Sequence, residues 1–117
     1  DYLDRTKKLI TSRLLYAITY MEECNFKTNR MTNFIRVILL KDGNFYIQVT
    51  QISQNQANII DWIVTSENIP IFNESTKSYD YFWKFSSFSE TTEKVLRILT
   101  EFYEFTEKDS IKDITFK

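Results

Sequence analysis

At the start of the chain, apolar positions recur at three- and four-residue spacing. Leu3, Ile10, Leu14, Ala17, Ile18 and Met21 share one side, and Arg5, Lys8 and Ser12 lie along another. That period predicts an amphipathic helix from Tyr2 to about Cys24. The stretch "NFKTNRMTN" is polar and reads as a loop. The period then shortens to two in "FIRVILLKDGNFYIQVTQI", two β-rich runs around the only glycine of the chain, which predict a hairpin.

The register of that hairpin follows from burial. A two-residue Asp42-Gly43 loop sets Leu40 against Phe45 and Ile38 against Ile47, but leaves Arg36 on the same face beside Val49. A three-residue loop, Lys41-Asp42-Gly43 with Gly43 left-handed, pairs Leu39 with Phe45, Val37 with Ile47 and Ile35 with Val49. This second register gives an unbroken apolar face, and a buried face specifies register most strongly. The opposite face, Phe34, Arg36, Ile38 and Leu40 against Thr50, Gln48, Tyr46 and Asn44, is mixed.

"SQNQANIIDWIVTSEN" predicts a helix of about three turns, with Ser53 or Asn55 as N-cap and Ala57, Ile60, Ile63 and Val64 on one side; Trp62 lies off that stripe. Pro70 ends any helix, Ile69 to Phe72 form a short edge strand, and "NESTKS" is a loop into "SYDYFWKFSSF", which holds six aromatic rings. Ser89 suits an N-cap, with Glu90 and Glu93 where the first-turn dipole favours carboxylates. Val95, Leu96, Leu99, Phe102 and Tyr103 make the apolar face of this last helix, broadened by Ile98 and Phe105. Ile111, Ile114 and Phe116 are anchors in the tail, which adds a short strand. The expectation is one α+β domain over residues 1–117: an antiparallel sheet of about four strands with helices packed on it, in the order α-ββ-α-ββ-α.

Composition narrows the chemistry. The chain of 117 residues is 43% hydrophobic and 26% charged with a net charge of −1, which fits a folded domain with a real core. Its longest apolar run, Val37 to Leu40, is far too short to span a bilayer. A single cysteine, Cys24, forms no internal disulfide and points to a reducing, cytoplasmic setting, while a start at Asp1 leaves room for a removed leader. The absence of histidine removes Ser-His-Asp and Cys-His sites, the HExxH metalloprotease motif and the zinc deaminases. One glycine forbids a GxxxxGK or GxGxxG phosphate loop. None of the sixteen acids stands two residues before a lysine, as a nuclease strand requires, and a metal or acid/base set of Glu101, Glu104 and Asp61 is set aside because Glu101 and Glu104 sit at the helical spacing of a solvated face. No cofactor, no metal and no catalytic residue is expected.

The aromatic row carries the remaining functional signal. On a strand, Tyr79, Tyr81, Trp83 and Phe85 lie together, with Asp80, Phe82, Lys84 and Ser86 opposite. The row is either core beneath the helices or a protein-binding surface, and the surplus of apolar area over what one small core uses assigns part of it to a partner. A nucleic-acid platform would interleave bases with the rings, yet Lys84 is the only one in this strand. That second reading would recruit Arg5, Lys8, Arg13, Arg30 and Arg36 from the basic first half, where eight Lys/Arg face five acids before Gln51, against seven and eleven after it. The order of elements, the size and the mildly acidic balance resemble the α+β folds of bacterial secretion chaperones and related small regulators. That resemblance is architectural and implies a dimeric, protein-binding module. The expected function is therefore a non-enzymatic module, such as a chaperone, adaptor, inhibitor or immunity-type protein, acting on another protein and forming a homodimer.

Overall fold

A computed structural model describes residues 1–20 and 23–116, with side chains described as far as Ile111. In chain order it comprises α1 (Tyr2–Tyr20), β1 (Glu23–Thr28), β2 (Ile35–Leu39), β3 (Phe45–Val49), α2 (Gln54–Val64), β4 (Ile69–Asn73), β5 (Ser78–Phe85), α3 (Phe88–Arg97), a π-helical turn (Ile98–Phe102) and β6 (Ile111–Phe116). The strands form one antiparallel sheet in the order β4-β5-β3-β2-β1-β6. The α+β class with helices on an antiparallel sheet is as expected. Among the described residues the strand count is six rather than about four, and three strands rather than two follow the first helix.

The extra strands have a physical explanation. Cys24 was expected at the end of the first helix and the following residues in a loop, but "ECNFKT" is β1. It alternates: Cys24, Phe26 and Thr28 turn into the core while Glu23, Asn25 and Lys27 take the other face, where Asn25 accepts a hydrogen bond from Arg36 Nε at 3.1 Å. A strand whose outer face is wholly polar carries a weak hydrophobic signal, and only its pairing with β2 and β6 completes it. The strand expected in the tail is β6, which closes the far edge. Met21 lies outside the described residues, as do the side chains of Ile114 and Phe116.

The first hairpin has the expected register, Leu39 with Phe45, Val37 with Ile47 and Ile35 with Val49. Its turn is closed by Leu40 N–H to Asn44 O at 2.9 Å and Gly43 N–H to Leu40 O at 3.1 Å, with Gly43 at φ +85°, where a side chain would be strained. Ser53 caps α2 in a reciprocal box with Gln56: Ser53 Oγ accepts from Gln56 N and Gln56 Oε1 from Ser53 N. For α3 the cap is Ser87, not Ser89. Its Oγ accepts from Glu90 N at 3.0 Å, so the helix begins two residues earlier than expected.

The buried side chains form one continuous cluster between the sheet and its helices. Ile10, Leu14 and Ala17 of α1, Ala57, Ile60 and Val64 of α2, and Val95, Ile98 and Leu99 of α3 and its π-turn cover Ile35, Val37, Phe45, Ile47, Val49, Tyr81, Trp83 and Phe85. Leu3 and Ile18, expected on the buried side of α1, are exposed. Buried Thr91 and Thr92 return their hydroxyls to the Ser87 and Phe88 carbonyls, so they enter the core with no orphaned donor. No helix among the described residues is long and apolar enough to cross a membrane.

Candidate docking surfaces

The aromatic row does not act as a unit. Tyr81, Trp83 and Phe85 are core residues, Trp83 with no exposed surface, so the fold withdraws three of the four expected binding residues from solvent. The physical reason is that β5 lies beside β3 in the sheet and its inner face joins the core cluster shared with the helices, Trp83 reaching Asp61 of α2. Trp83 buries its polar handle as well, donating Nε1–H to Asp61 Oδ1 at 2.8 Å. Tyr79, at the start of β5 beyond the helices, is 50% exposed and stands edge-on to Phe72, ring centroids 5.2 Å apart.

Tyr79 belongs to an apolar margin of different composition. Along β4, Phe72 (43% exposed) lies on the helix side of the sheet, and Ile69 and Ile71 (49%) lie on the other. Asp61 fastens this margin to α2: its carboxylate accepts from the backbone N–H of Asn68 at 2.9 Å and from the Asn68 side-chain amide, besides the Trp83 indole. Next to Asp61, Trp62 projects outward at 85% exposure, with Ile59 one turn before it. A cleft of about 390 Å³ is lined by Asp61, Trp62, Thr65, Ser66 and Glu67. Burial on one side of α2 explains why Trp62 fell off the expected stripe, and that departure was its one sequence signal.

The second surface is the face of the sheet turned away from the helices. A file of polar side chains crosses five strands there. Arg36 donates to Asn25 Oδ1 (3.1 Å) and Gln48 Oε1 (3.5 Å), and Gln48 Nε2 and Asn73 Nδ2 both donate to Asp80 Oδ2 (3.4 and 3.1 Å). Glu23 is 3.8 Å from Arg36, whose guanidinium also lies over the Phe34 ring. Ile38, Leu40, Tyr46 and Phe82 flank the file, half-buried, with Tyr46 and Phe82 in edge contact at 5.5 Å.

The five basic residues of the nucleic-acid reading are not gathered. Arg5, Lys8 and Arg13 are distributed around the exposed sides of α1. Arg30 is held by Asp109 at 3.1 Å, Arg36 is on the sheet, and Arg5 shares a small cleft with Glu107 and Asp109. Lys94 is buried in α3 with Nζ 3.3 Å from Thr65 Oγ1, at the left-handed cap ending α2. A cation at a helix C-terminus meets the negative end of the dipole, which accounts for this lysine structurally. Burial pushes the Cys24 thiol up to about 12, against a weaker pull from Arg13, so the thiol stays protonated and inert at neutral pH. Compared with family models, characterised proteins and solved structures, the chain matches none.

Proposed function

We propose that the protein is a non-enzymatic protein-binding module, of adaptor or chaperone type, that docks a partner polypeptide against the β4 margin. One observation carries the reading: four large apolar side chains, Ile59 and Trp62 of α2 and Phe72 and Tyr79 on the helix side of the β4 margin, stand exposed along the single stretch from α2 to β5. Scattered apolar residues are ordinary on a surface, but a run of this kind with an exposed tryptophan has the composition of a binding hot spot. Pro70 sits within β4 and has no N–H to offer an incoming strand. The partner is therefore held by side-chain packing rather than by extension of the sheet.

The test is native mass spectrometry of the protein released gently from its own cells, beside a variant carrying Trp62→Ser and Phe72→Ser. The wild type is expected to retain a second, different polypeptide, and the variant to lose it while keeping its unfolding midpoint. Retention of the partner by the variant would move the site elsewhere, and a wild type with no second polypeptide would overturn the reading.

A further inference from the structure

We propose that the face of the sheet turned away from the helices is a self-association surface for a second copy of this chain, packed face to face about a two-fold axis along the strands between β2 and β3. This surface is separate from the Trp62 and Phe72 side of the β4 margin, and the proposal goes beyond partner docking there.

The argument rests on where the registers put charge. Cross-strand pairing aligns Glu23, Ile38, Tyr46 and Lys84 in one row and Asn25, Arg36, Gln48 and Phe82 in the next. Continuing the same registers by one residue aligns Lys27, Phe34, Thr50 and Asp80. The axis between β2 and β3 is the centre of the six-stranded sheet, with β1 and β5 equidistant from it. Rotation about it sets Glu23 opposite the partner's Lys84 and Lys27 opposite the partner's Asp80, each contact occurring twice. Between these corners, Ile38 meets the partner's Tyr46 and Arg36 meets the partner's Gln48. Within one chain Glu23 already has Arg36 at 3.8 Å and Lys27 stands opposite Asp113 in the β1–β6 register, so the partner's Lys84 and Asp80 extend existing pairs, being three strands, roughly 14 Å, away along the row of their own chain.

The other in-plane two-fold axis, across the strands, also opposes unlike charges at the corners but brings Arg36 onto the partner's Arg36. Like charges facing each other at the centre of a contact are costly, so the axis along the strands is selected. The polar file is already hydrogen-bonded within each chain, and Lys84 has a half-exposed link to Asp42 at 3.6 Å that the new contact can share. Strands about 4.8 Å apart and five residues long make a face of roughly 24 by 17 Å, on the order of 800 Å² for the pair in projection. That falls below the roughly 1,000 Å² that a stable specific contact clears, which makes this a weak contact, and sheets stacked at about 10 Å interdigitate their side chains. The dimer is therefore reversible, in the micromolar range, and sensitive to salt.

Sedimentation equilibrium of the purified chain at low and high salt tests this. The wild type is expected to dimerise at micromolar concentration and to dissociate as salt rises. Lys84→Glu sets a carboxylate against the partner's Glu23, and Lys27→Glu sets one against the partner's Asp80. Each should weaken the dimer roughly tenfold or more, since two symmetry-related contacts change sign. Both positions lie on the outer face, and the thermal midpoint checks that the variants fold. Adding Glu23→Lys to Lys84→Glu should restore dimerisation toward wild type. A wild type that stays monomeric throughout the micromolar range at low salt would overturn the proposal. So would single variants that dimerise as tightly as wild type. Loss of the dimer on Phe72→Ser instead would assign self-association to the β4 margin and also overturn it.

Discussion

Two side chains carry opposite lessons about buried polarity. Tyr103 buries its hydroxyl with no hydrogen-bond partner among the described residues, and burial pushes its phenol up to about 12, against a weak opposing influence of Asn33. Asn33 Nδ2 donates to the Thr50 carbonyl. An unsatisfied buried hydroxyl costs about 1–3 kcal/mol, so Tyr103→Phe should leave the urea midpoint unchanged or raise it. A loss of more than about 1 kcal/mol would reveal a partner for the hydroxyl. Asp109 is the converse. Its carboxylate accepts from the Asn29 amide (2.7 Å), the Thr106 N–H (2.8 Å) and hydroxyl (3.1 Å) and Arg30 Nε (3.1 Å), which together hold it well below the usual carboxylate range. Because folding lowers this pKa, the group's contribution is complete above the unfolded value of about 3.9 and is lost as pH falls from there toward the folded one. Asp109→Asn should therefore lower the thermal midpoint at neutral pH, with the gap to wild type narrowing below about pH 4. A gap that is constant from neutral to acid pH would contradict this.

At the scale of elements, what was legible in the sequence is what local chemistry decides. The β2–β3 register could be read because Gly43 and a wholly apolar face admit one solution, and α2 because an apolar stripe follows a capping residue, although the choice between Ser53 and Asn55 as cap was made by the box with Gln56 that the structure shows. β1 could not, since its outer face is polar, and neither could the β1–β6 pairing, which joins segments more than eighty residues apart in the chain. The start of α3 shows the limit in a single residue. Ser87 and Ser89 are chemically identical candidates, and the choice was made by Thr91 and Thr92, polar residues that nonetheless belong to the buried face. Removing a cap costs about 1 kcal/mol, so Ser53→Ala and Ser87→Ala should each lower stability by about that amount. Ser89→Ala, inside the helix and exposed, should change it by less than about 0.5 kcal/mol. Equal losses at Ser87 and Ser89 in denaturant unfolding would relocate the helix start.

For the whole molecule, the question is how a chain rich in aromatic residues divides them between core and surface. Period-two alternation identified the row Tyr79, Tyr81, Trp83 and Phe85, but alternation says only which residues share a face. What covers the face depends on where α2 and α3 come to rest. Likewise the corner charges of the open face become neighbours in a row only through the strand order β4-β5-β3-β2-β1-β6, in which β4 and β5 at one end lie far along the chain from β1 at the other. The two tryptophans report the division directly, because one is wholly buried and the other nearly free in solvent. Trp83→Ala removes a full indole and leaves Asp61 short of a donor, so a loss of about 3–5 kcal/mol is expected, enough to unfold a marginal domain. Trp62→Ala removes little buried area and should stay within about 0.5 kcal/mol. Fluorescence separates them without unfolding. With Trp62→Phe, the remaining emission should be blue-shifted and resist iodide; with Trp83→Phe, it should be red-shifted and readily quenched. If Trp62 in the isolated chain resists iodide at concentrations where the protein associates but not on dilution, that margin is already covered by a second copy, and the sheet face is left without its assigned role.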